Sequence, residues 1–308
     1  MRAQARTSTR ALALVLLMLA STQLLLLTSQ DYMPKELRPE PQRFDIDNSE
    51  VAIVDLGFDH ACVIGTVNQM KCWGEGSYGK TGHENTEDYG DGEKEMGQYL
   101  MFTDVGSNLT FTDVGAGYLH TCALLSDASV KCWGRNDLLG SASGEYGTGA
   151  RGDGILEMGE SIPPVYAFGP GSSSSEWSAV SISVGYSHSC AIVNDTTQDG
   201  LRCWGENEDG QLGLESTDTI GDGASESMTV DLPDRGGIGL SQVSAGQSHT
   251  CVLWVDGEMA CWGSNGHGQL GIGNTTTIGD EPGEMGENLA LVDLPTGRTA
   301  TYIETGEH

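Results

Sequence analysis

His120-Thr-Cys-Ala-Leu-Leu-Ser-Asp-Ala-Ser-Val-Lys-Cys-Trp-Gly134 holds two short apolar runs on either side of a polar turn, and each run carries one cysteine. The same figure recurs from His60 to Gly74, from His188 to Gly205 and from His249 to Gly263. Together the four copies use all eight cysteines of the 308-residue chain, so the most distinctive residues belong to a repeat unit rather than to one chemical site.

Working outward, each copy is preceded by a strand-like run that ends in a small-residue turn and the histidine. The runs are Val51 to His60, Phe111 to His120, Val180 to His188 and Val243 to His249. Two copies continue into Gly-Gln-Leu-Gly, at 210–213 and 268–271, while the first keeps only Tyr78-Gly-Lys-Thr-Gly82 and the second Leu138-Leu-Gly140. Short apolar runs, 44 glycines and little helical periodicity predict an all-β chain. One four-stranded sheet per repeat is the β-propeller solution.

These motifs resemble the regulator of chromosome condensation repeat: Gly-x-x-His-x-Cys-Ala-Leu, then Val-x-Cys-Trp-Gly-x-Asn, then Gly-Gln-Leu-Gly. The cysteine-bearing form is similar to a secreted, prokaryotic-type subgroup of that family. The resemblance covers residues 51–308 and implies a β-propeller, commonly of seven blades; activity does not follow from the fold. Repeats are expected at about 51–110, 111–178, 179–240 and 241–298, with 299–308 opening a fifth that stops at its histidine. That ending reads as a cut propeller and an incomplete ring, although the last segment would also suit the closing strand of a small four-bladed ring.

Cys62 and Cys72, Cys122 and Cys132, and Cys251 and Cys261 are ten residues apart, and Cys190 and Cys203 thirteen. Cross-strand partners in a hairpin share a constant index sum, so turns centred on 66–68, 126–128 and 255–257 set each cysteine opposite its partner. Directly opposed positions lie roughly 4.5 Å apart at Cα, within the roughly 4.4–6.8 Å a disulfide accepts. Four His-x-Cys pairs with later cysteines also offer soft ligands to zinc. An extracytoplasmic route favours disulfides over zinc.

That route is read from Arg2, Arg6 and Arg10 ahead of the apolar run from Ala11 to Leu27, which together form an export signal. No small-x-small cleavage site follows the apolar core, which favours an uncleaved anchor, its arginines inside, over secretion after cleavage. Residues 31–50, with Pro34, Pro39 and Pro41, read as a polar stalk.

The chain's formal charge is −29, and without the three N-terminal arginines residues 31–308 carry −32. Such a surface repels phosphate backbones, so nucleic acid is not an expected partner.

A second block recurs after the Gly-Gln-Leu-Gly position: Gly90 to Gly97, Gly152 to Gly159, Gly221 to Met228 and Gly279 to Gly286. Asp91, Asp153, Asp222 and Asp280, with Glu95, Glu157, Glu226 and Glu284, are candidate calcium ligands. Turn chemistry alone calls for the same residue types, and no full EF-hand loop is present. No cofactor is otherwise implied.

His60, His120, His188 and His249 precede cysteines by two residues, and their repetition argues for bracing rather than catalysis. Trp73, Trp133, Trp204 and Trp262 are expected to fill the core between blades. His83 and His267 show no evident partner. Asn108, Asn194 and Asn274 head glycosylation sequons in expected loops. With no nucleophile elbow, phosphate loop or zincin motif, the expectation is a non-enzymatic binding scaffold whose loops contact a protein or glycan. The alternative is a calcium-dependent enzyme, or enzyme-associated domain, built on the acidic inserts.

Overall fold

The computed structural model describes residues 51–140, 149–165, 178–194, 199–221 and 229–306. The expected export segment, the stalk, Asp222 and Glu226 lie outside these residues. Among the described residues there is no α-helix, and hence none long and apolar enough to cross a membrane.

Among the described residues, four antiparallel sheets follow one another along the chain. The first contains β1 (Val51–Leu56), β2 (His60–Gly65) and β3 (Met70–Gly74); the second contains β4 (Phe111–Ala116), β5 (His120–Leu125), β6 (Val130–Arg135) and β7 (Ala150–Arg151). The third is β8 (Ser178–Val184), β9 (His188–Asn194) and β10 (Asp199–Gly205), and the fourth β11 (Leu240–Ala245), β12 (His249–Trp254) and β13 (Met259–Gly263). Each opening strand is bulged near its start, between Val51 and Ile53, Phe111 and Asp113, Ala179 and Ser181, and Leu240 and Gln242. A bulge kept at one repeat position bends every blade alike.

The fourth strand of each blade is short and broken in two. At the Cys-Trp-Gly end the third strand pairs with Tyr89, Ala150–Arg151, Ile220 or Ile278. At its other end it meets Thr103, Pro164–Val165, Thr229–Val230 or Leu291–Val292. The acidic inserts fall between the two halves, and Val230 and Val292 close the outer edges of the third and fourth blades.

The opening strands β1, β4, β8 and β11 lie side by side in chain order. The core sits between blades. Trp133 packs on the Cys62–Cys72 blade, Trp204 on the Cys122–Cys132 blade and Trp262 on the Cys190–Cys203 blade, all three fully buried. Trp73 departs from the expectation for its class and stays partly exposed, because no earlier blade covers it among the described residues. Beyond blade four, Ile303 is buried on Cys251 and Cys261, where the next inner strand belongs. Ile303 there exchanges two hydrogen bonds with the Gln242 amide, and Thr305 N donates to Ser244 Oγ.

Glycine follows each tryptophan for a steric reason. Gly74, Gly134, Gly205 and Gly263 have φ between 102° and 114°, and a Cβ on Gly134 would fall 2.3 Å from the Leu119 carbonyl oxygen. The third strand passes so close to the histidine turn that no side chain fits.

Candidate functional site: the axial aromatic cavity

The eight cysteines stand directly opposite one another in the strand registers and form four bridges, Cys62–Cys72, Cys122–Cys132, Cys190–Cys203 and Cys251–Cys261. Their sulfurs are buried in the interblade cores.

The histidines brace blade to blade. Nε2 of His60, His120 and His188 lies 2.7, 2.8 and 2.9 Å from the hydroxyls of Thr121, Ser189 and Thr250 in the following blade. Thr121 and Thr250 donate onward to the carbonyls of Lys80 and Gln211, which also accept the indole N–H of Trp133 and Trp262. A hydroxyl that donates away must accept from the imidazole, so Nε2 carries the proton in His60 and His188. Nδ1 of His60, His120 and His188 has no hydrogen-bond partner among the described residues. Burial pushes all three down to about 3, so the rings are neutral. His83, with no partner evident in sequence, bonds the Cys72 carbonyl at 2.9 Å.

In the acidic inserts, the glutamate folds back on its own loop. Glu95 accepts from Gly90 and Gly92 N–H, Glu157 from Gly152 and Gly154, and Glu284 from Gly279 and Glu281. The Gly92 and Gly90 amides hold the Glu95 carboxyl below its usual range. Burial and the neighbouring Glu157 raise Asp153. The geometry brings Asp91 to Glu95 and Asp153 to Glu157, each pair within its own insert. Among the described residues no three His, Cys, Asp or Glu side chains converge to hold a metal. Asn108, Asn194 and Asn274 are all exposed.

The constellation that remains open to solvent escaped sequence reasoning. The turn after each opening strand presents one side chain on the axial side: Phe58, Tyr118, Tyr186 and Gln247. Tyr118 and Tyr186 stack at 4.4 Å between ring centroids, and Phe58 meets both edge-on, at 5.0 and 5.8 Å. Backbone bonds hold the row, because Phe58, Tyr118, Tyr186 and Gln247 each donate N–H to a carbonyl one blade further on. These turns and residues 304–306 enclose an open cavity of about 370 Å³. Asp55 and Glu304 line it, and Asp55 also accepts the Ala116 N–H at 2.6 Å. Burial, reinforced by Asp113 and Glu304, pushes Asp55 up to about 6. The legible signal was an aromatic residue after glycine in three of the four Gly-x-x-His turns.

The sequence matches known proteins along the same repeats. A family model described as the regulator of chromosome condensation (RCC1) repeat matches residues 111–138, 179–211 and 240–269, and a second model of that description matches 201–253. The chain is 26% identical over 272 residues to the probable E3 ubiquitin-protein ligase HERC6 of Homo sapiens, covering 87% of this chain and 24% of the relative. It is 26% identical over 247 residues to the ultraviolet-B receptor UVR8 of Arabidopsis thaliana, covering 78% of this chain and 47% of the receptor. It thus spans less than half the length of either relative. Among solved structures, yeast RCC1 (Prp20) bound to Kap60 matches with a TM-score of 0.56 at 17% identity, over 85% of this chain and 53% of that one. Human WBSCR16 matches at 0.55 with 16% identity, over 76% and 54% of the two chains. Repeated blade, register and sequence agree: residues 111–138 and 179–269 carry repeats of the RCC1 type, and the fold is the β-propeller seen in yeast RCC1.

Proposed function

We propose that this protein is a non-enzymatic scaffold, displayed outside the cytoplasm, that binds a protein partner across the axial cavity. The observation that carries this reading is how the chemically capable side chains are used. Cystines, histidines and tryptophans are engaged in holding blades together. The Phe58, Tyr118 and Tyr186 rings instead line an open cavity, and Phe58 is 62% exposed. An exposed aromatic cluster of this kind is what binding faces use. The activities of the relatives belong to those proteins, each much longer than the matched span. A glycan remains the second partner class, since rings also stack on sugars.

The arginine-flanked apolar run at the N-terminus and the four cystines support export, with that run held in or through the membrane. The acidic inserts are read as loops closed by their own glutamates, without a cofactor.

A photo-crosslinking residue at position 58, compared with one in the exposed 126–128 turn, tests the binding reading. A protein adduct from position 58 alone supports it, and adducts from neither position overturn it. Protease shaving of intact cells tests display: a propeller that is digested only after lysis would overturn it.

A further inference from the structure

Resting on that binding reading, the structure points to a chemistry for the partner. We propose that the axial cavity seats the cationic side chain of a lysine or arginine from a basic segment of the partner protein.

Three observations converge on it. Phe58, Tyr118 and Tyr186 present aromatic rings within one cavity, and a ring's quadrupole attracts a cation to its face. The cavity wall carries the carboxylates of Asp55 and Glu304 from its first and last segments, and none of the described residues lining it is basic. The whole chain carries −29, a field that draws a basic segment inward.

The chain already uses this chemistry beside the cavity. The Lys80 ammonium is fully buried, 5.7 Å from the centre of the Tyr118 ring, where it donates to Asp59 and to the Tyr118 carbonyl and pairs with Glu75. Two carboxylates around one ammonium leave that cluster negative, so Lys80 does not cancel the attraction. A second cation arriving from solvent meets the same combination of ring and carboxylate. A neutral glycan would use the rings and leave the carboxylates idle.

The test is calorimetric titration of the full chain, above the pKa of Asp55, with four Gly-Ser peptides bearing lysine, arginine, citrulline or glutamate at the same positions. Lysine and arginine peptides bind and the other two do not. Phe58→Ala and the double change Asp55→Asn with Glu304→Gln each weaken binding by about tenfold or more. The asparagine keeps an acceptor for the Ala116 N–H, so the fold is preserved and an unchanged Tm verifies it. Glu93→Gln with Glu281→Gln, in the inserts, leaves binding unchanged.

Equal loss in the insert variant means diffuse attraction to an acidic surface and overturns the proposal, as does equal binding of lysine and citrulline peptides. Binding of a neutral oligosaccharide that Phe58→Ala abolishes, without peptide preference, also overturns it. If position 58 still cross-links a protein while no peptide preference appears, the cation reading fails and the scaffold reading stands.

Discussion

Nε2 of His60 lies 2.7 Å from the Thr121 hydroxyl, 61 residues later in the chain and one blade further on. That single bond joins two repeats, orders the imidazole tautomer and is reproduced at His120 and His188. Its dependence on a neutral ring makes the propeller sensitive to acid.

His60, His120 and His188 titrate near 6.5 when unfolded and near 3 when folded, because burial disfavours the cation. The unfolded chain therefore takes up protons first as pH falls below 6.5, and stability declines towards pH 3. At pH 5 each ring costs about 2 kcal/mol. Asp55 acts in the opposite sense between 3.8 and about 6, since its folded form holds the proton. Asp113 and Asp153 are raised as well, while burial lowers His83 like the three bracing rings; the histidines outweigh the carboxyls, and Tm measured from pH 7.5 downward is expected to fall. A Tm that stays flat to pH 4.5 contradicts the neutral-histidine account.

Each cystine closes a short hairpin beneath an interblade core. Replacing Cys122 and Cys132 together by alanine is expected to cost about 2–3 kcal/mol in chemical denaturation, without changing blade order. A non-reducing peptide map carries the pairing test, since any peptide joining Cys62 to a cysteine other than Cys72 contradicts the register.

Gly134 has φ +114° and no room for a Cβ. Gly134→Ala combines backbone strain with a clash against the Leu119 carbonyl, so a loss above about 2 kcal/mol is expected. Gly236→Ala, at positive φ with nothing within 4 Å, isolates the strain alone and is expected to cost less. Equal effects in urea titrations would remove the packing argument.

Trp204 is fully buried between the second and third blades, whereas Trp73 is partly exposed. Trp204→Ala is expected to cost about 3–5 kcal/mol and Trp73→Ala distinctly less. The comparison of unfolding midpoints reads directly whether these tryptophans work as interblade plugs.

Glu157 accepts hydrogen bonds from the amides of Gly152 and Gly154, which closes its loop. Millimolar calcium or a chelator is therefore expected to leave Tm unchanged, and Glu157→Ala to lower it whether or not calcium is present. Asp280 Oδ1, buried without a partner among the described residues, is where an added cation would register first. A calcium-dependent rise in Tm that Asp280→Asn abolishes would restore the metal reading.

The repeat unit was legible because it is local. A ten-residue spacing sets Cys122 opposite Cys132 through hairpin geometry alone. The outer strand was less so: its halves around Tyr89 and Thr103 make few pairs, and the acidic block between them carries turn residues rather than strand pattern. In sequence the glutamates of those blocks are candidate ligands with turn chemistry the favoured reading, and spacing does not say whether Glu95 faces a cation or Gly92 N–H.

By itself, then, the amino-acid order determined the repeat unit, its hairpins and their cysteine partners, each set by contacts within about fifteen residues along the chain. Only the tertiary structure decided that Phe58, Tyr118 and Tyr186 share one cavity, and that Asp55 shares it with Glu304. Those residues are separated by whole blades, and what brings them together is the packing of tryptophans on cystines between blades. A periodic pattern names each repeat's own pairs, while the side chains that meet on the axis depend on how the repeats pack.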